Sequence, residues 1–174
     1  MRRKRLTQIF PFLIPFRVWQ RKLFFYFKMQ LDKNKYSSCV SKDNLPHLIY
    51  KNDSVLINPN SGYEIVYQYN KAHNLKLAAK KLDGILIKPG ETFSFYKLIR
   101  HADKAEPYKQ GLTLIDGKIQ GVYGGGLCQL SNTLYWLMLH TPLIITERHG
   151  HAVDAIPPAA PGADIPKGID ATVS

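Results

Sequence analysis

Three consecutive glycines at 124–126, set directly before an apolar-periodic run, constrain this chain more than any other stretch. The segment at 121–136 reads GVYGGGLCQLSNTLYW. Gly124, Gly125 and Gly126 reach backbone angles closed to other residues and let a partner come close to the main chain. A helix beginning just after them carries Leu127, Leu130, Leu134, Leu137 and Met138 on one stripe, at the spacing of a core-facing helix. Cys128 falls off that stripe, on the side it shares with Asn132 and Tyr135.

At such a helix start the first N–H groups lack internal partners and the dipole favours negative charge. A Cys128 thiolate is stabilised in that position. The amides of Gly124, Gly125, Gly126 and Leu127 are candidates to hold a developing oxyanion, which would unite nucleophile and electrostatic stabilisation. A cysteine among apolar residues serves equally as a small buried hydrophobe, so both readings of Cys128 stand at this point.

A chain of 174 residues fits a single domain with a usable core, and its hydrophobic content of 45% argues against disorder. Lys and Arg number 24 against 13 Asp and Glu, a formal net charge of +11. That balance suits anionic partners such as acidic lipid headgroups, wall polymers or nucleic acid. No nucleic-acid motif accompanies it, so no nucleic-acid partner is expected. Cys39 and Cys128 lie far apart, with no disulfide framework around them. Zinc needs more ligands than the histidines near the end supply, so no metal and no cofactor is expected.

Residues 1–30 form a basic, aromatic segment. Its apolar run at 9–16 is short, broken by Pro11 and Pro15, and followed by further basic residues without a small-residue cleavage site. It lacks the form of a cleavable signal peptide and is too short to span a bilayer. Trp19, Leu23 and Phe27 recur at helical spacing with Arg17, Arg21, Lys22 and Lys28 interleaved. Such a helix either lies on an anionic membrane surface or packs those aromatics on the domain.

Residues 31–174 read as one α+β domain: a mixed or antiparallel sheet with two main helices packed on it. Short strands are expected at 48–50 and 55–57, bounded by Asn, Asp and Pro. A helix is expected over 70–82, capped by Asn70 or Asn74. Leu75, Ala78, Ala79 and Leu82 would be its buried stripe, and Lys71, Lys76, Lys80 and Lys81 would face water. A strand, turn and second strand follow over 85–96, and the charged run at 99–110, with His101, reads as loop. Asp116 and Gly117 mark a hairpin whose second strand leads into the triple glycine.

After the glycine-started helix, residues 142–146 read as a buried strand ending in Glu147, Arg148, His149, Gly150 and His151. Continued extension puts Glu147, His149 and His151 on one face and Arg148 on the other. A strand returning to the Cys128 helix brings a histidine and a carboxylate towards the thiol, the arrangement of nucleophilic catalysis. Two histidines at a strand end also serve as surface or binding contacts.

Four motifs then stand in order: PGETFSF at 89–95, GGGLCQLSNTLY at 124–135, ERHGH at 147–151 and DATV at 170–173. Together they resemble the VanW family over nearly the whole chain, and the opening RKRLTQIFPFLIP at 3–15 is similar as well. The resemblance implies a bacterial cell-envelope context, membrane-associated, and an accessory link to vancomycin resistance. Without a cleavable signal, the cytoplasmic face also remains open as a location. Some VanW-domain proteins act as L,D-transpeptidases through a cysteine acyl-enzyme, so peptidoglycan or its precursors are the implied partners. Carried onto this sequence, the nucleophile falls on Cys128, the histidine on His151, and Arg148 becomes an anion contact through its planar fork. Glu147 and Asn132 join as candidate substrate contacts. VanW-like domains usually continue past DATV, so the domain is expected to be incomplete at its C-terminal end.

Overall fold

The computed structural model describes residues 10–115, 118–150 and 171–173. A 3-10 turn, Pro11–Leu13, leads into α1, Ile14–Leu31. Then come β1 Lys35–Tyr36, β2 Cys39–Val40, α2 Ile65–Leu82, β3 Ile85–Leu86, β4 Glu91–Thr92 and the one-turn helix α3 Phe95–Leu98. The remainder is β5 Gln110–Ile115, β6 Lys118–Tyr123, α4 Leu127–Leu139, β7 Arg148–Gly150 and β8 Ala171–Val173. The architecture is α+β, as the sequence pattern requires.

Among the described residues the strands pair two by two: β1 with β4 in parallel, and β2–β3, β5–β6 and β7–β8 antiparallel. Helices therefore carry the core. Ala78 of α2, Phe95 of α3, Ile99 and Ala102 are buried together, and Leu127, Leu130 and Leu134 of α4 pack on them with Tyr108 and Phe93. The leucine stripe read from the sequence thus faces the core.

Helix α2 begins at Ile65 rather than at residue 70, with Glu64 at its N-cap. Asn70 and Asn74 are interior to it, and their carboxamides bind neighbouring backbone instead of capping: Asn70 Nδ2 donates to the Gln110 carbonyl at 2.8 Å. Leu75 and Ala78 are buried, Leu82 packs on the core and Lys76, Lys80 and Lys81 are exposed, as expected; Ala79, which is exposed, and Lys71, whose stem is half-buried against Gly126, are the two departures.

The residues at 48–50 and 55–57 form no strand, and Leu48 and Ile49 are exposed. Side chains of α4 hold this segment in place of a ladder. Tyr50 stacks on His140 with ring centroids 3.8 Å apart and accepts a hydrogen bond from Trp136 Nε1 at 3.1 Å. Gln129 Nε2 donates to the Val55 carbonyl at 2.8 Å. Nor do the strands on either side of residues 87–90 pair with each other. β2 takes β3 and β1 takes β4, while burial of Phe95 turns the following residues into α3. Residues 142–146 are irregular, with Ile144 87% exposed, and extended pairing starts only at Arg148.

The hairpin forms as its Asp-Gly signal requires: Ile115 pairs with Lys118 across a two-residue connection, and the register runs to Gln110 opposite Tyr123.

Helix α1 meets the domain through residues other than those expected. Phe25 sits edge-on to Tyr96, with centroids 6.4 Å apart. Tyr26 donates to the Tyr96 carbonyl at 3.3 Å, beneath the Arg100 guanidinium 3.9 Å from its ring. Trp19, Leu23 and Phe27 face solvent, so packing of those three on the domain is not what is found. No helix among the described residues is long and apolar enough to cross a membrane.

Candidate functional site

The hairpin delivers the chain to the glycine turn, and backbone geometry dictates glycine there. Gly124 and Gly126 have φ of 77° and 89°, the left-handed region in which a side chain is strained. The turn is held by its neighbours: Gly124 N–H donates to the Lys109 carbonyl at 3.1 Å and Gly125 N–H to the Val122 carbonyl at 3.0 Å. These two amides shape the turn. Of the four amides expected to hold an oxyanion, those of Gly124 and Gly125 are thus engaged with backbone carbonyls of the turn itself.

Asn74 is wholly buried and clamps the turn from α2. Its Nδ2 donates to the Lys109 carbonyl at 2.9 Å and to the Gly125 carbonyl at 3.0 Å, and its Oδ1 accepts from Lys109 N–H at 2.8 Å. One side chain thereby fixes the end of one strand and the middle of the glycine triplet. Lys71, one turn earlier, lays its stem on Gly126, where a Cβ would come within 2.3 Å of Lys71 Cγ. Burial lowers the Lys71 ammonium below the ordinary lysine value.

Gly126 caps α4, its carbonyl accepting from Gln129 N–H at 3.1 Å. Cys128 lies in the first turn of α4, half-buried, while Cys39 is exposed, and neither is in a disulfide. Contrary to a simple amphipathic reading, the most buried side chains of α4 are Ser131, Asn132 and Tyr135, on the Cys128 side. From the other end of the chain, β8 packs against α4 and pairs with β7. Arg148 of β7 places its guanidinium 5.0 Å from the centroid of the Tyr135 ring. Cys128, Asn132 and Tyr135 stand at i, i+4 and i+7, so Arg148 meets the helix face that carries the thiol, about 10 Å along the axis from it.

Glu147 is exposed, and its charge helps raise the Tyr36 hydroxyl, after burial and the hydrogen bond to Asp32. His149 is opposite Thr172 in the β7–β8 register. His151 lies outside the described residues. On the other side of α4 an open groove of about 550 Å³ runs along α2, lined by Leu56, His73, Leu75, Lys76, Leu130 and Thr133. Cys128 does not line it.

The family model described as VanW like protein matches residues 70–174, from within α2 to β8. The chain belongs to the VanW family. Glycine turn, Asn74 clamp, α4 and the β7–β8 pair all fall within the VanW match, whereas α1 precedes it. The chain is 54% identical over 174 residues to Vancomycin B-type resistance protein VanW of Enterococcus faecalis, an alignment covering all of this chain and 62% of that protein. It is 34% identical over 107 residues to Uncharacterized protein YoaR of Bacillus subtilis, covering 60% of this chain and 32% of that one. The chain thus spans less than two thirds of the length of either relative. No solved structure matches it.

Proposed function

We propose that this VanW chain is a vancomycin-resistance protein of the cell envelope that engages peptidoglycan stem peptides at the Cys128 face of α4. The observation that carries the reading is the position of the Arg148 guanidinium over Tyr135, on the helix face that presents Cys128. A cation beside the thiol's helix face suits a peptide that bears a carboxylate. The Enterococcus relative is itself a resistance protein by name.

In the catalytic form of this reading, the Cys128 thiolate attacks a stem-peptide carbonyl carbon. The new C–S bond leaves an oxyanion beside the first amides of α4. Collapse breaks the C–N bond, the leaving amine takes a proton carried by His151, and a thioester remains. An acceptor amine then attacks that thioester, gives up a proton, forms the new amide and releases the thiolate. The second reading is a binding protein without chemistry, and the burial of Asn132 and Tyr135 beside the thiol favours it.

Alkylation of Cys128 and Cys39 followed across pH by peptide mass spectrometry separates the two. Reaction of Cys128 as a thiolate well below the ordinary thiol pKa of about 8.5, with Cys39 behaving normally, supports the nucleophile. A Cys128 that reacts only on unfolding refutes it. Loss of resistance or cross-linking in Cys128→Ala extends the same test to function.

A further inference from the structure

Residues 1–31 contain eight Lys and Arg and no Asp or Glu. Within them α1 is a helix of 18 residues without one buried side chain. An isolated helix with this much exposed aromatic surface is costly in water.

The exposed surface has a fixed layout. Projected at about 100° per residue, Phe16, Trp19, Leu23 and Phe27 share one arc, and Phe24 and Leu31 widen it on one side. All six are more than half exposed, Trp19 at 59% and Phe24 at 68%. Arg17, Arg21 and Lys28 form the edge next to Phe24. Together with Gln20 and Phe25 they border an open hollow of about 430 Å³. Phe25, edge-on to Tyr96, lies on the far side, and Tyr26, whose hydroxyl bonds the Tyr96 carbonyl, borders the arc next to Trp19. The helix is thus held at Phe25 and Tyr26 and leaves an aromatic arc with a cationic margin exposed.

We infer that α1 is an in-plane anchor for a bilayer bearing anionic phospholipid. Its arc enters the acyl boundary, and Arg17, Arg21 and Lys28 take lipid phosphates at the margin. Charge argues against a second copy of the chain as occupant, since pairing two such faces would gather cations with no acidic residue on either helix to meet them. A soluble polyanion satisfies the cations but leaves the aromatic arc in water. Only a phase that is anionic above and apolar below matches both halves of the face.

The test uses the full chain with phosphatidylcholine vesicles, with and without phosphatidylglycerol, read by co-sedimentation and by quenching of tryptophan emission with brominated acyl chains. Binding is expected to require phosphatidylglycerol, to weaken with salt, and to quench Trp19. In W19F the quenching should vanish, because Trp136 is tied to Tyr50 and His140 away from the anchor. R17Q/R21Q/K28Q should lose roughly a hundredfold in partition, with its helical circular dichroism unchanged. Four results each overturn the inference: equal binding to phosphatidylcholine alone; sedimentation without quenching of Trp19; unchanged partition of the triple variant; or a dimer in lipid-free solution whose formation shields Trp19. Soluble polyphosphate that competes as well as vesicles do, without altering Trp19 emission, also overturns it.

Discussion

Gly125 and Gly111 pass backbone to backbone, so close that a Cβ on Gly125 would stand 2.0 Å from the Gly111 carbonyl oxygen. The reciprocal Cβ on Gly111 would meet the Gly125 carbonyl at 2.3 Å. The central glycine of the triplet is therefore a contact residue against β5, and its bareness sets how near the thiol's turn lies to the hairpin.

Gly125→Ala should cost about 2–4 kcal/mol, because backbone on both sides must move to admit one methyl. Gly62→Ala is the matched control. Gly62 has φ of 77° but nothing within 4 Å of its Cβ position, so only the left-handed strain of about 1–2 kcal/mol applies. Urea unfolding of the two variants measures the difference, and equal costs would contradict the crossing.

Replacing Asn74 by Leu should destabilise by about 2–4 kcal/mol, since it removes three hydrogen bonds and takes the Asn74 partner from the Lys109 N–H and from the carbonyl of buried Gly125. Amide exchange should rise at Lys109 and in the glycine turn more than in the rest of α2. A uniform rise would mean that Asn74 acts on global stability alone.

Tyr108 packs beside Gly124, and among the described residues its buried hydroxyl has no hydrogen-bond partner. Tyr108→Phe should be neutral or stabilising at neutral pH. Burial, reinforced by Asp103, pushes the Tyr108 hydroxyl up to about 12 from its ordinary 10.0. The folded state then holds a proton that the unfolded state releases between those values, so this contribution to stability is complete below about pH 10 and is lost as pH rises through about 12. Unfolding free energies of wild type and Tyr108→Phe should diverge in slope only over that alkaline window.

Arg148→Gln should change stability by no more than about 1 kcal/mol, the worth of an exposed cation over an aromatic ring. If Arg148 holds substrate, its loss should reduce stem-peptide binding by about tenfold or more, measured by calorimetry on a variant whose melting temperature has scarcely moved. Unchanged binding would remove Arg148 from the site.

What the sequence made legible was local. The helix behind the triple glycine, the Leu127, Leu130 and Leu134 part of its stripe and the Asp-Gly hairpin each follow from spacing within a few residues, and each is found. Three apolar runs, at 48–50, 55–57 and 142–146, read as strands but form none, and the second strand expected over 85–96 is confined to Glu91–Thr92. Whether such a run becomes a strand depends on a free partner edge, and here β1 and β2 occupy the edges at 85–92 while α4 side chains hold the first two runs. Asn74 looked like a cap because asparagine favours caps; its position amid Leu75, Leu77 and Ala78 was the available sign that it is buried. In the same way Gly111, inside a strand, carried the known meaning of close backbone approach. Arg148 over Tyr135 depends on how the irregular run after α4 turns β7 back onto that helix, and no periodicity encodes that.

The Asn74 clamp joins positions 35 and 51 residues distant in the chain. The turn before Cys128 is accordingly not portable. A synthetic peptide of 121–136, or the same motif transplanted onto another hairpin, would keep the glycines and the thiol yet lack the carboxamide that gives them their shape. Chemistry observed at Cys128 thus belongs to the assembled domain, and short-motif mimics are the wrong reagents with which to look for it.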